Sequence, residues 1–337
     1  MNEALTFDDV LIVPKYSTIG SRKNCDLKTE ITIPGGPDFH LNIPIMASNM
    51  DTICEEKMAV KMANLGGLGI LHRNMDLTSL AKAIEHLHGN MKTPVVAVGG
   101  VHTDKDKIDW LMDKGVIFCV DMAHGHSENM RNTLRYICEH HHLPIIAGNV
   151  CTPWGAEDLH NWGADIIKVG IGSGSVCTTR IKTGCGFPQL QAIMNITRQT
   201  NVPIIADGGI RTPGDACKAL AAGASFVMLG GMLAATDCTP QWNTYNYNAR
   251  IKLPFRGMAS EGAKGHKTHV EGEETHLRPK SEGSTEAVIK DMCESIRSAM
   301  SYVGAHSLKE FRVLTEFVRV TNAVHIENQP HKIYDVE

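Results

Sequence analysis

Eight short apolar runs, each closed by glycine or by a polar turn residue, pace the chain from residue 44 to residue 231 and constrain its fold more than any other feature. They cover residues 44–49, 68–72, 95–99, 116–122, 145–150, 166–172, 204–210 and 226–231. Helical periodicity fills the gaps between them. Thr152-Pro153 followed by Ala156, Leu159, Trp162 and Gly163 reads as N-cap, first-turn proline, apolar stripe and C-cap. Thr212-Pro213, with Asp215 three residues after the cap, repeats that grammar.

Continuous apolar strands alternating with amphipathic helices mean a parallel sheet covered by helices. Eight units within about 190 residues fit a closed (β/α)8 TIM barrel better than an open doubly wound sheet. An open sheet would also carry a phosphate loop on its first unit. No G-x-G-x-x-G follows the first strand, and no G-K-[ST] sequence occurs. The whole chain, residues 1–337, therefore reads as a single barrel domain. After strand eight comes a charge-dense stretch that includes His266, Lys267, Glu271, Glu273, Glu274, Arg278 and Glu282. A long polar segment in a compact barrel is usually a lid or a disordered loop, so residues 261–285 are expected to form a mobile flap. Residues 286–337 are expected to supply a closing helix and tail.

Composition removes several function classes. A net charge of −4 offers no basic footprint for nucleic acid. No apolar run approaches the ~20 residues that span a bilayer. The ten cysteines show no Cys-x-x-Cys pair, and Met1-Asn2-Glu3 opens no secretory leader. Reduced thiols in a cytoplasmic compartment are expected. The histidine groups His140-His141-His142, His124-Gly125-His126 and His86-Leu87-His88 lack carboxylate or cysteine partners at ligand spacing, which argues against a structural metal.

Barrel enzymes build their sites at the C-terminal ends of the strands. Those ends read Asn49-Met50-Asp51, His72-Arg73, Gly99-Gly100, Asp121 with His124, Asn149, the loop 170–180, Asp207-Gly208-Gly209 and Gly230-Gly231. Glycine pairs after strands seven and eight are where such barrels hold phosphate on backbone N–H groups. Asp207 and Asp121 are placed to accept hydrogen bonds from sugar hydroxyls. The loop after strand six, Gly170-Ile171-Gly172-Ser173-Gly174-Ser175-Val176-Cys177-Thr178-Thr179-Arg180, puts a thiol on a glycine-rich turn among hydroxyls. Ser175, Thr178 and Thr179 can relay a proton there, and Arg180 can favour thiolate. Cys177 is the candidate nucleophile.

Together the Cys177 loop, Asn49-Met50-Asp51-Thr52, Asp207-Gly208-Gly209, Gly230-Gly231 and Arg256-Gly257-Met258 resemble the IMP dehydrogenase/GMP reductase family. The similarity runs from Leu5 to about Thr321. Two features resemble its reductase branch: there is no room for inserted CBS modules, and the flap lacks an Arg-Tyr pair, the only one being Arg135-Tyr136. The segments 182–190 and 302–320 also look like GMP reductase, whereas residues 121–127 look more like dehydrogenases.

The resemblance implies NADPH-dependent reductive deamination of GMP to IMP and ammonia through a Cys177 thioimidate. Thr179 would manage protons with a flap glutamate, placed at Glu282 in Ser281-Glu282-Gly283, with Glu273-Glu274 as another register. Gly174, Ser175, Asp207, Gly208, Gly209, Gly230 and Gly231 would hold the nucleotide, and Gly257, Met258 and Ser260 would meet its base. Asp121, His124 and Gly172 would meet the cofactor, with Ser21 and Arg22 reaching it from a neighbouring subunit of a homotetramer. The carbonyls of Gly172, Gly174 and Cys177 would hold a potassium ion. Ser173 stands where the family usually has proline, which implies a looser loop. Three other readings stay open: a CBS-less IMP dehydrogenase, an enzyme for a deoxy or modified purine nucleotide, and a nucleotide-binding protein without turnover.

Overall fold

The computed structural model describes residues 3–244, 252–265, 270–278, 283–321 and 323–328. Each apolar run contains one strand of a closed, all-parallel barrel. The strands are β1 (Ile45–Ala47), β2 (Leu68–Leu71), β3 (Val95–Val98), β4 (Ile117–Asp121), β5 (Ile145–Val150), β6 (Ile166–Val169), β7 (Ile204–Asp207) and β8 (Phe226–Leu229). Closure is made by β8 on β1, with Val227 opposite Ile45 and Met228 opposite Met46.

The pleat divides the apolar side chains into two layers. Met46, Ile70, Ile117, Cys119, Ile146, Ile166, Ile205 and Phe226 belong to one buried cluster, the barrel interior. Their neighbours Ala47, Leu71, Phe118, Ile167, Ala206 and Val227 belong to the cluster shared with the helices. A hairpin of Thr29–Ile31 on Phe39–Leu41 plugs the N-terminal end, where the Phe39 ring stands edge-on to Phe226 at 5.6 Å. Burying one such aromatic contributes about 1.5–3 kcal/mol.

The helix signals in the sequence act as expected. Thr152 Oγ1 accepts the Gly155 N–H at 3.2 Å and starts the helix Pro153–Asn161. Thr212 and Asp215 form a reciprocal capping box at the start of Pro213–Ala221. Because each helix begins where a strand ends, these caps also hold the strand ends that carry the site.

The C-terminal region is more elaborate than a helix and tail. Helix Thr285–Val303 is followed by Leu308–Leu314, and Phe317–Arg319 then pairs antiparallel with Val10–Ile12. The described part of the flap includes the short helix Glu261–Lys264 and the strand Glu274–Leu277, which pairs antiparallel with Leu253–Arg256 just before the flap. Among the described residues no helix is long and apolar enough to cross a membrane.

Candidate active site

A cavity of about 460 Å³ opens at the C-terminal ends of the strands. Its wall includes Cys177, Thr179, Asp121, Asp207, Met258 and Glu271. The Cys177 thiol donates to Thr179 Oγ1 at 3.2 Å, and the Thr179 hydroxyl donates to Glu271 Oε2 at 2.9 Å. Sulfur, hydroxyl and carboxylate thus form one continuous path for a proton.

That path exists because the flap lies on the cysteine loop. Thr178 N–H donates to the Glu271 carbonyl at 2.9 Å, and Glu273 N–H donates to the Val176 carbonyl at 2.8 Å. Cys177 and Gly272 face each other in an antiparallel bridge. The flap is tied down from the other side by Arg256. Its Nε lies 3.0 Å and its Nη2 2.7 Å from Asp51 Oδ2, with the buried Asp51 at the end of β1. Paired N–H donors on one carboxylate set direction as well as energy.

Beneath the cavity lies a buried cation. Lys168 is 2% exposed, and its Nζ sits 2.7 Å from Asp121 Oδ1 and 3.1 Å from Asp207 Oδ2. Asn49 Nδ2 donates to Asp121 Oδ2 at 2.9 Å, and Asn149 Nδ2 donates to Asp207 Oδ2 at the same distance. Burial pulls the ammonium of Lys168 down, but the two carboxylates outweigh it and hold the group above its usual range. Burial likewise pushes Asp121 up, and Lys168 more than reverses this, leaving its carboxyl below the ordinary range. Charges on β4, β6 and β7 therefore lock one another in place.

Glycine is required where the loops meet. Gly208 and Gly209 both have left-handed backbones, at φ 94° and 81°. A Cβ on Gly208 would come within 2.5 Å of Ser173 Oγ and 3.0 Å of Gly174 N. Two successive residues of this kind turn their N–H groups into a concave nest for an anion. Ser173 Oγ donates to the Asp207 carbonyl at 3.2 Å, tying the cysteine loop to β7 by a side chain.

A family model, IMP dehydrogenase / GMP reductase domain, matches residues 4–331. The chain belongs to this family. It is 38% identical over 334 residues to a GMP reductase of Serratia proteamaculans (strain 568), with 94% of each chain covered. It is 36% identical over 332 residues to a GMP reductase of Exiguobacterium sp. (strain ATCC BAA-1283 / AT1b), covering 96% of this chain and 98% of the relative. It is 32% identical over 481 residues to an inosine-5'-monophosphate dehydrogenase of Nitrosopumilus maritimus (strain SCM1), covering 98% of each.

The structure brings together most of the residues singled out for this family's chemistry. Gly172, Gly174, Ser175, Cys177, Thr179, Asp121, Asp207, Gly208, Gly209, Gly230, Gly231, Gly257 and Met258 all line the cavity. Four do not. Ser260 is buried, and its hydroxyl caps the short helix Glu261–Lys264 by accepting Ala263 N–H at 3.3 Å. His124 is exposed on the loop after β4, and Ser21 and Arg22 are exposed on the outer segment that packs against Thr285–Val303. Arg180 Nη2 donates to the Phe187 carbonyl at 2.6 Å.

Glu282 falls outside the described residues, and the carboxylate on Thr179 is that of Glu271. Glu273 and Glu274 are not on Thr179: Glu274 lies 3.6 Å from Arg256 and Glu273 is exposed. Sequence reasoning missed Glu271 because three Glu-Gly pairs, Glu261-Gly262, Glu271-Gly272 and Glu282-Gly283, occur in one polar stretch. The Lys168 clamp was also missed, although a lysine inside the apolar run Ile166-Ile167-Lys168-Val169 was its signal.

Proposed function

We propose that this chain is a GMP reductase, which converts GMP to IMP and ammonia with NADPH. The observation that carries the reading is the Cys177–Thr179–Glu271 path at the cavity wall, on a flap with no Arg-Tyr pair among its described residues. The one Arg-Tyr pair, Arg135-Tyr136, lies in the helix Glu128–Cys138 between β4 and β5. The alignments support the same branch. The two reductases align over 332 and 334 residues, close to this chain's 337, whereas the dehydrogenases of Nitrosopumilus maritimus and Cryptosporidium parvum align over 481 and 391 and so open gaps in this chain.

In this reading Thr179 takes the thiol proton as Cys177 attacks C2 of the guanine base, and passes one of its own to Glu271. The C–S bond forms and the bond from C2 to the exocyclic nitrogen breaks. Glu271, through Thr179, returns that proton to the nitrogen as it leaves as ammonia, so one hydroxyl and one carboxylate serve both directions. The Gly208-Gly209 nest takes the phosphate, and Asp207 takes the ribose hydroxyls. NADPH, when bound, supplies the hydride that replaces sulfur at C2. The cavity fits such a group: beyond Asp121 it extends past Met122 and Ala123 to Arg73, a cation with no ion pair among the described residues. Ser21 and Arg22 lie away from this chain's own cavity, which accords with a role at a neighbouring subunit's cofactor in a homotetramer. Potassium would sit on the carbonyls of Gly172, Gly174 and Cys177, where the Gly174 carbonyl already accepts Cys177 N–H at 3.1 Å and keeps a second lone pair.

The test is absorbance at 340 nm with GMP, NADPH and potassium. Loss of NADPH with formation of IMP supports the reading. A silent assay, with IMP and NAD turning over instead, assigns the dehydrogenase reaction, which the segment Asp121-Met122-Ala123-His124-Gly125-His126-Ser127 favours. A mass increase on Cys177 with a deoxy or modified purine nucleotide but not with GMP would redirect the substrate.

A further inference from the structure

A second cavity, of about 490 Å³, opens at the opposite pole of the barrel, where Pro203 and Ser225 lead into β7 and β8. Among the described residues its charged lining consists of Arg198 and Arg312, with no aspartate or glutamate. Arg312 is largely withdrawn from water, and this burial pulls its guanidinium below the usual range. Its Nη2 donates to the Ala224 carbonyl at 2.9 Å, but its Nε is buried with no partner. Thr315 lines the same cavity, and its buried Oγ1 is likewise without a partner. Arg198 is exposed and forms no ion pair among the described residues.

Carbonyls at nearby helix ends offset part of a cation's charge. They do not replace a counter-ion, since a withdrawn charge with none costs several kcal/mol. Two orphaned donors and two guanidinium groups around one polar space describe a receptor for an anion. Guanidinium forks match phosphate oxygens in particular. We propose that this cavity binds a small phosphate-bearing anion, held by Arg198 and Arg312 with Thr315 donating a hydrogen bond. The site is separate from the mouth and independent of the reaction assigned there.

Thermal unfolding of the full chain tests this, with inorganic phosphate and ATP as probes against chloride at matched ionic strength. A ligand bound only by the native state raises the midpoint with concentration. In chloride, Arg198→Met should unfold at the wild-type midpoint, because Arg198 is exposed and unpaired. In either probe that variant should lose a clear part of the wild-type shift, and Arg312→Met a larger part, the remainder being anion bound at the Gly208-Gly209 nest of the mouth. A larger shift with ATP than with phosphate names a nucleotide as the source, and equal shifts name free phosphate. Equal shifts in wild type and Arg198→Met, or no shift with either probe, overturn the assignment. Should Arg312→Met fail to fold, Arg198→Met alone decides.

Discussion

At the mouth of the barrel Lys168 lies 2.7 Å from Asp121 and 3.1 Å from Asp207, whereas at the pole Arg312 bonds, among the described residues, to the carbonyl of Ala224 and to no carboxylate. Lys168 is buried and Arg312 half-buried, and the contrast lies in who supplies the negative charge. At the mouth the fold supplies it with two carboxylates, held by two asparagine amides, at the ends of four different strands. The field there is set before any ligand arrives, which is what a site needs to stabilise charge without reorganising. At the pole the counter-charge is left to come from outside. A barrel can therefore bury a cation as part of its frame or as half of a binding site, and the surrounding carboxylates tell the two apart.

If the mouth is the chemical end, its substitutions should abolish turnover while those at the pole do not. The largest effect is expected for Cys177→Ala, a loss of about 10⁴-fold or more in NADPH oxidation with GMP. Equilibrium dialysis should show GMP still bound, and normal turnover by this variant would reject the nucleophile. Glu271→Gln comes next, with kcat down about 10²–10⁴-fold and the KM for GMP little changed. A full loss in Glu282→Gln with an active Glu271→Gln would instead restore the other register.

Lys168→Met breaks the comparison directly, because it turns the mouth into a site with two unpaired carboxylates. Urea unfolding should show a loss of about 3–5 kcal/mol near neutral pH. Its pH dependence has a defined sign. Lys168 is raised above 10.5 in the native state, so its contribution is complete below that value and fades as pH climbs through the native one. Asp121 is lowered below 3.8, so its contribution is complete above that value and fades as pH falls through the native one. The gap between wild type and variant should thus be flat across the neutral range and narrow at both extremes. The smallest effect is expected for Ser173→Ala, about 0.5–1.5 kcal/mol in the same assay, from loss of the bond to the Asp207 carbonyl. No change at all would mean that this hydroxyl does not replace the rigidity of the proline usual at that position.

Much of this arrangement was legible in the chain itself. Apolar runs of five to seven residues, alternating with helical periodicity, read as buried strands, and Thr-Pro caps mark where helices start. Cys177 stood out because its glycines and hydroxyls are adjacent in sequence. Glu271 did not, since what selects it is the pairing of Gly272 with Cys177 across 95 residues, and no local pattern encodes that register. Nor could the chain alone show that Ser260 caps a helix and that Arg180 holds the Phe187 carbonyl, because a hydroxyl or guanidinium in a motif can serve a neighbouring backbone group as well as a ligand.

By itself, then, the order of residues determined the eightfold alternation, the closed barrel and the rim on which reactive groups collect, because strand and helix periodicity and turn chemistry act over a few neighbours. Tertiary structure alone decided which flap glutamate reaches Thr179, that Lys168 is clamped between Asp121 and Asp207, and that Arg312 has no acid beside it. Those outcomes depend on distances between atoms far apart along the chain, which are set only when loop closure and burial bring the strands into register.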